Sequence, residues 1–220
     1  MPQSVHDKEI RQGLIPFPKD RARRAVERNA EERLEKAIEA CHRADNAAYL
    51  LPEFLALIDS GCSEANYFAA CILEEGGPSV PRDMQSAVFY YQKAVEEIGY
   101  LEAALALARI HYYGIGVPVD NELAARYYQA ILAIEPHPIA SLMLGRMHRL
   151  GHGVHMDLEH AERLLLGAAE SDNVYAIREL AMLRRQQGRW IQGLALKLKA
   201  GWRAFVIGLG NLHDPRLRQA

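Results

Sequence analysis

Four histidines, His148, His152, His155 and His160, crowd into one short stretch of the chain. His148 and His152 stand four residues apart, the spacing that puts two imidazoles on one face of a zinc-binding helix. Gly151 and Gly153 interrupt that helix, and no cysteine lies nearby to complete a ligand set. His111 precedes His148 by 37 residues and shares its local context, so both read as packing residues. The second chemical suggestion is Gly114-Ile115-Gly116, a pair of glycines that could cradle phosphate. Such a loop needs a preceding strand and a following helix N-terminus, and the residues before Gly114 have helical periodicity instead. No nucleophile elbow or nucleotide fingerprint appears. The expectation is no catalytic residue, no cofactor and no metal, with an enzyme or metal protein built on the His148–His160 cluster as the weakest alternative.

The elements that would position these residues repeat. An Ala is followed by Ala or Gly five residues later, by Gly at eleven, then by Val, Asp and Ala. The copies are Ala65, Ala70, Gly76, Val80, Asp83, Ala87; then Ala103, Ala108, Gly114, Val117, Asp120, Ala124; then Ala140, Gly145, Gly151, Val154, Asp157, Ala161. Asp83, Asp120 and Asp157 are spaced by 37 residues each time. A period in this range signals stacked supersecondary units. Ala65, Ala69, Ala70 and Ile72, with their counterparts one and two periods on, form a single helical stripe. Gly114 and Gly151 end that helix with positive φ, and Asp120 and Asp157 cap the next one. Each unit is a helix hairpin that needs neighbours to bury its faces.

The loop Gly114-Ile115-Gly116-Val117-Pro118-Val119-Asp120, with Ala124 and Tyr127-Tyr128 behind it, resembles the Sel-one-like repeat, a short relative of the tetratricopeptide repeat. The resemblance covers Ser63 to about Gln187. The first copy has a loop one residue longer, and a fourth copy, Ala176, Leu180, Ala181 and Gly188, lacks the Gly-Val-Asp loop. The resemblance implies an all-α, right-handed solenoid of stacked hairpins with helical caps at both ends. It also implies a non-catalytic scaffold or adaptor that holds a protein partner. By analogy with related solenoids, the first helix of each unit lines the binding surface. The candidates there, off the packing stripe, are Asn66, Tyr67, Arg109, Tyr112, Tyr113, Arg146 and Arg149; Tyr and Arg carry much of the energy at interfaces.

Half the 220 residues are hydrophobic and a quarter are charged, a folded-protein profile, and the net charge of −2 argues against nucleic-acid binding. Charge is uneven: residues 46–100 sum to −6 and residues 161–220 to +5. Three cysteines, Cys41, Cys62 and Cys71, read as reduced thiols. The polar N-terminus carries no secretory signal pattern, and no run of some twenty apolar residues occurs. Cytoplasm, with possible membrane association, is the expected location.

Four regions follow: an extended segment over 1–18, capping helices over 19–62, repeats over 63–187, and a C-terminal amphipathic helix with a basic tail over 188–220. The first cap is a long helix over 21–43, the second a short one over 52–60. In the last region Trp190, Leu194, Lys197, Leu198, Lys199, Trp202, Arg203 and Phe205 have the composition of an interfacial helix. The favoured reading is a cap that buries Ile191, Leu194, Leu198, Trp202 and Phe205 on the preceding helix. The alternative is a peripheral membrane or partner contact through that same face.

Overall fold

Alanine at the stripe positions lets one helix backbone approach another, and the stripe is buried in every copy. Ala65, Ala69, Ala70, Ala103, Leu107, Ala108, Ile110, Ala140 and Met147 have no exposed surface, and Ile72 and Leu144 almost none. The computed structural model describes residues 28–43, 47–171 and 173–210, and the expected extended segment over 1–18 lies outside them. The described residues form helices and no strand. In chain order these are α1 (Arg28–Arg43), a 3₁₀ turn (Ala47–Leu50), α2 (Leu51–Asp59), α3 (Ala65–Glu75), α4 (Met84–Ile98) and α5 (Leu101–Tyr113). They continue with α6 (Asn121–Ile134), α7 (Pro138–Leu150), α8 (Leu158–Glu170), α9 (Val174–Gln186) and α10 (Trp190–Gly210).

The hairpin loops follow from their own residues. Gly114 and Gly151 end α5 and α7 at φ 68° and 71°, left-handed backbone that costs a side-chain-bearing residue energy. One residue on, the Ile115 amide donates to the Ile110 carbonyl and the His152 amide to the Met147 carbonyl, tying off the helix ends. The capping aspartates close each loop twice over. Their side chains accept amides of the next helix: Gln85 and Ser86 on Asp83, Leu123 on Asp120, Glu159 and His160 on Asp157. Their own amides donate back to the first helix, Asp120 to the His111 carbonyl and Asp157 to the His148 carbonyl. Asp83 reaches one residue further back, to Leu73, which accommodates the extra residue in that loop.

The chain divides into two compact units, residues 1–127 and 128–220. In the first unit, the core beneath α1 and α2 gathers Leu34, Ala37, Phe54, Leu57, Ala65 and Ala69. Phe54 stacks on Phe68 at 5.4 Å, and Arg33 of α1 pairs with Glu53 of α2. Pro52 opens α2, where its missing amide has no helical partner. The part of the first capping helix expected over 21–27 lies outside the described residues. In the second unit Leu142, Ala161, Leu165, Ala176, Leu180 and Leu183 form the core between α7, α8 and α9. The residues expected to form a degenerate fourth copy make α9, which is capped by the Asn173 side chain, and α10 packs against it.

The cap reading of α10 is corrected in one respect. α10 does cover α9, but with a different face from the one expected. Gly193 and Ala200 are buried, and Leu196 and Ala204 pack on Val174, Ile177 and neighbouring core residues. A Cβ at Gly193 would lie 2.8 Å from the Ala181 carbonyl oxygen, so only glycine permits this approach. Because the small face takes the contact, the large apolar face that was expected to be buried points away: Ile191, Leu194, Leu198, Trp202 and Phe205 are all exposed.

Candidate functional site

The residues proposed from sequence as a binding surface separate into three groups. The first is packing. Asn66 is buried and donates from Nδ2 to the Ser63 carbonyl at 3.0 Å, closing the turn that starts α3; it offers no surface to a partner. Tyr67 is half-buried, its ring stacked on Tyr100 at 4.8 Å and edge-on to Phe68. Burial, with Cys71 beside it, pushes the Tyr67 phenol well above its ordinary range, so it stays protonated.

The second group is electrostatic. Arg109 of α5 pairs with Glu74 of α3, whose other oxygen accepts a hydrogen bond from the Tyr91 hydroxyl at 2.9 Å. Tyr91 also lies 3.4 Å from the Cys71 sulfur. Burial raises the Cys71 thiol, which makes it a poor nucleophile at neutral pH. In the second unit Glu179 of α9 takes both remaining arginines of α7. It accepts from Arg149 at 2.7 and 3.0 Å and lies 3.6 Å from Arg146. The three arginines are thus held by carboxylates of their own unit. Sequence reasoning missed Glu74 and Glu179, since each lies about thirty or more residues from its partner along the chain.

The third group is exposed. Tyr113 at the end of α5 is open to solvent and meets the half-buried Tyr112 edge-on at 4.8 Å. Leu150, one period on, is exposed at the end of α7, and Met182 on α9. On α10, Trp190, Leu194, Leu198, Trp202 and Phe205 are exposed together, with Lys197 and Lys199 beside them and Arg203 half-buried.

The histidine cluster resolves into a pair. The His148 and His160 rings meet edge-to-face at 4.5 Å, and His148 Nδ1 lies 3.1 Å from the His155 carbonyl oxygen. Arg163 donates to His160 Nδ1. Burial first, then the neighbouring His148 and Arg163, hold the His160 pKa below its ordinary value. Among the described residues no three His, Cys, Asp or Glu side chains gather into a metal-ligating group. His111 is buried against Tyr127, as its repeat position suggested. No described helix is long and apolar enough to cross a membrane.

Comparison with known proteins agrees with this geometry. The family described as Sel1 repeat matches residues 63–97, 101–130 and 138–173. Among solved structures, a Sel1 repeat protein from Oxalobacter formigenes is similar at 18% identity and TM-score 0.66, over 88% of this chain and 86% of that one. The protein c5321, a protective antigen of uropathogenic Escherichia coli strains displaying an SLR fold, is similar at 20% identity and TM-score 0.66. That match covers 94% of this chain and 45% of c5321. MamA is similar at 13% identity and TM-score 0.55, over 95% and 99% of the two chains. At these identities the likeness is one of fold. No curated protein matches the sequence.

Proposed function

We propose, from the premise that this chain belongs to the Sel1 repeat family through three repeats at residues 63–97, 101–130 and 138–173, that it is a non-catalytic scaffold for a protein partner. Proteins of this family are generally protein-interaction scaffolds. The observation that carries the reading for this chain is how its polar side chains are spent. Glu74, Arg109, Arg146, Arg149 and Glu179 hold one helix to another, and the capping aspartates hold loops. Beside the exposed carboxylates Glu75 on α3 and Glu102 on α5, the first helices present Tyr113 with the adjoining half-buried Tyr112 on α5, and Leu150 on α7. Tyrosine gives large contact area at a low cost in side-chain entropy, which suits an adaptable binding surface. The arginines named from sequence tie the helices that carry it to neighbouring helices. The cytoplasm is the proposed compartment, supported by three free thiols, two of them half-buried and one buried.

Affinity capture from the native cell, read by mass spectrometry, tests the proposal. The full chain should enrich a specific protein, and Tyr112→Ala/Tyr113→Ala should reduce that recovery at least five-fold while the circular dichroism stays unchanged. Equal recovery by both forms would move the surface off α5. A chain that enriches no protein above background would end the scaffold reading.

A further inference from the structure

Helix α10 has two apolar faces, and α9 occupies one of them. Gly193, Leu196, Ala200 and Ala204 recur at three- and four-residue steps and make up the covered face. Beyond its edge, from Trp190 round to the far side of the helix at Trp202, stand Trp190, Ile191, Leu194, Leu198, Trp202 and Phe205, with Leu198 67% and Trp202 68% exposed. With 3.6 residues per turn these six fill a stripe about 120° wide. All six are more than half exposed, an apolar stripe of several hundred Å², the size at which an exposed patch marks an interaction surface. A helix apolar on both sides is ordinarily covered on both sides.

The charges say what covers the second face. Lys197 lies at one border of the stripe and Lys199 beyond the other, and neither makes an ion pair among the described residues. α10 contains no Asp or Glu at all. Packing α10 against α10 of a second copy would bring lysine against lysine with no carboxylate on either helix. A protein helix would have to supply carboxylates at both edges of one groove. An anionic bilayer meets every requirement at once: apolar depth for the stripe, negative headgroups along both borders, and an interface zone suited to tryptophan. Lysine stems can lie along the apolar surface while their ammonium groups reach the headgroups.

We propose that α10 lies in the plane of an anionic phospholipid surface, Trp190, Leu194, Leu198, Trp202 and Phe205 entering the acyl boundary and Lys197 and Lys199 pairing with headgroups. The contact is peripheral and reversible, since one helix face contributes it. It is independent of the partner surface on α5, so either reading can fail alone.

The only two tryptophans of the chain, Trp190 and Trp202, both sit on this face, so intrinsic emission reports directly on it. The full-length protein is titrated with vesicles of phosphatidylcholine alone, and with vesicles carrying roughly one-third phosphatidylserine, at low and high salt. The proposal expects a blue shift and co-flotation with the anionic vesicles at low salt, both weakened by salt. Leu198→Glu, at an exposed position, should keep its circular dichroism and partition at least ten-fold more weakly. Lys197→Gln/Lys199→Gln should bind anionic vesicles about thirty-fold more weakly and leave neutral-vesicle binding unchanged. No shift with anionic vesicles at low salt overturns the proposal. So does flotation unaffected by Leu198→Glu, or a lipid-free blue shift that grows with protein concentration alongside a doubled mass, which would assign the face to a second copy.

Discussion

Replacing Gly114 and Gly151 separately by alanine distinguishes two costs that the repeat pattern treats as one. Both residues hold positive φ, 68° and 71°, and stand one period apart at the same helix-ending position. An L-residue in that conformation costs about 1 kcal/mol, so this cost is common to both. The surroundings differ. A Cβ at Gly151 would meet Met156 Cβ at 3.5 Å, an ordinary contact. A Cβ at Gly114 would lie 2.7 Å from Val119 Cγ2, 3.2 Å from the Val117 carbonyl oxygen and 3.3 Å from the Val119 amide nitrogen. Overpacking of that kind adds roughly 1–2 kcal/mol. Gly151→Ala should therefore cost about 1 kcal/mol and Gly114→Ala about 2–3 kcal/mol, or about 2–4 °C in Tm per kcal/mol for a chain of this length. Urea titration followed by far-UV circular dichroism gives both values. Val119 is exposed, and Val119→Ala alone should be nearly neutral. Combined with Gly114→Ala it removes the shortest contact and leaves the two backbone contacts, so the pair should recover about half of the excess. Equal losses at the two glycines, or no rescue by Val119→Ala, would refute the reasoning.

Arg149→Ala leaves Glu179 without its closer partner in a pair whose side chains are only 11% and 12% exposed, and should cost about 3 kcal/mol by urea titration. Arg126→Ala removes an ion pair to Glu122, which is 58% exposed, and should cost less than about 0.5 kcal/mol. Stability should also fall in two steps on acidification. The folded pKa of His160 is depressed, so the unfolded chain takes up the proton first and stability declines as pH falls below the ordinary histidine value of 6.5; His160→Phe should flatten that arm. The Asp157 pKa is depressed by the backbone amide of His160, so its contribution is present above the ordinary aspartate value of 3.8 and lost as pH falls through the folded value. Asp157→Asn keeps a capping oxygen without a titrating group and should remove that residue's share of the acid arm in thermal melts taken across pH.

The amino-acid sequence by itself determined the hairpins. Gly114, Asp120 and the stripe Ala103, Leu107, Ala108 and Ile110 act within one helix and one loop, where covalent connection brings the partners together. A left-handed helix end, a side-chain cap and a 3.6-residue periodicity are local consequences of residue type, and all appear where they were expected. The long first loop was equally local. Only the tertiary structure decided the fate of the candidate site. Arg109 had the composition of a binding residue, but Glu74 stands opposite it from another hairpin and takes its charge. Glu179 does the same for Arg149. Asn66 has the periodicity of a surface residue, yet its amide turns back to the Ser63 carbonyl and is buried there. α10 shows the distinction most sharply. Its periodicity allows either apolar face to be the covered one, and hydrophobicity alone favours the larger. Packing chose the smaller, because Gly193 lets the backbone come against the Ala181 carbonyl where a bulkier face would be held away. Which surface is left for another molecule therefore depends on how closely two helices can approach, a property of the pair that neither helix carries in its own sequence.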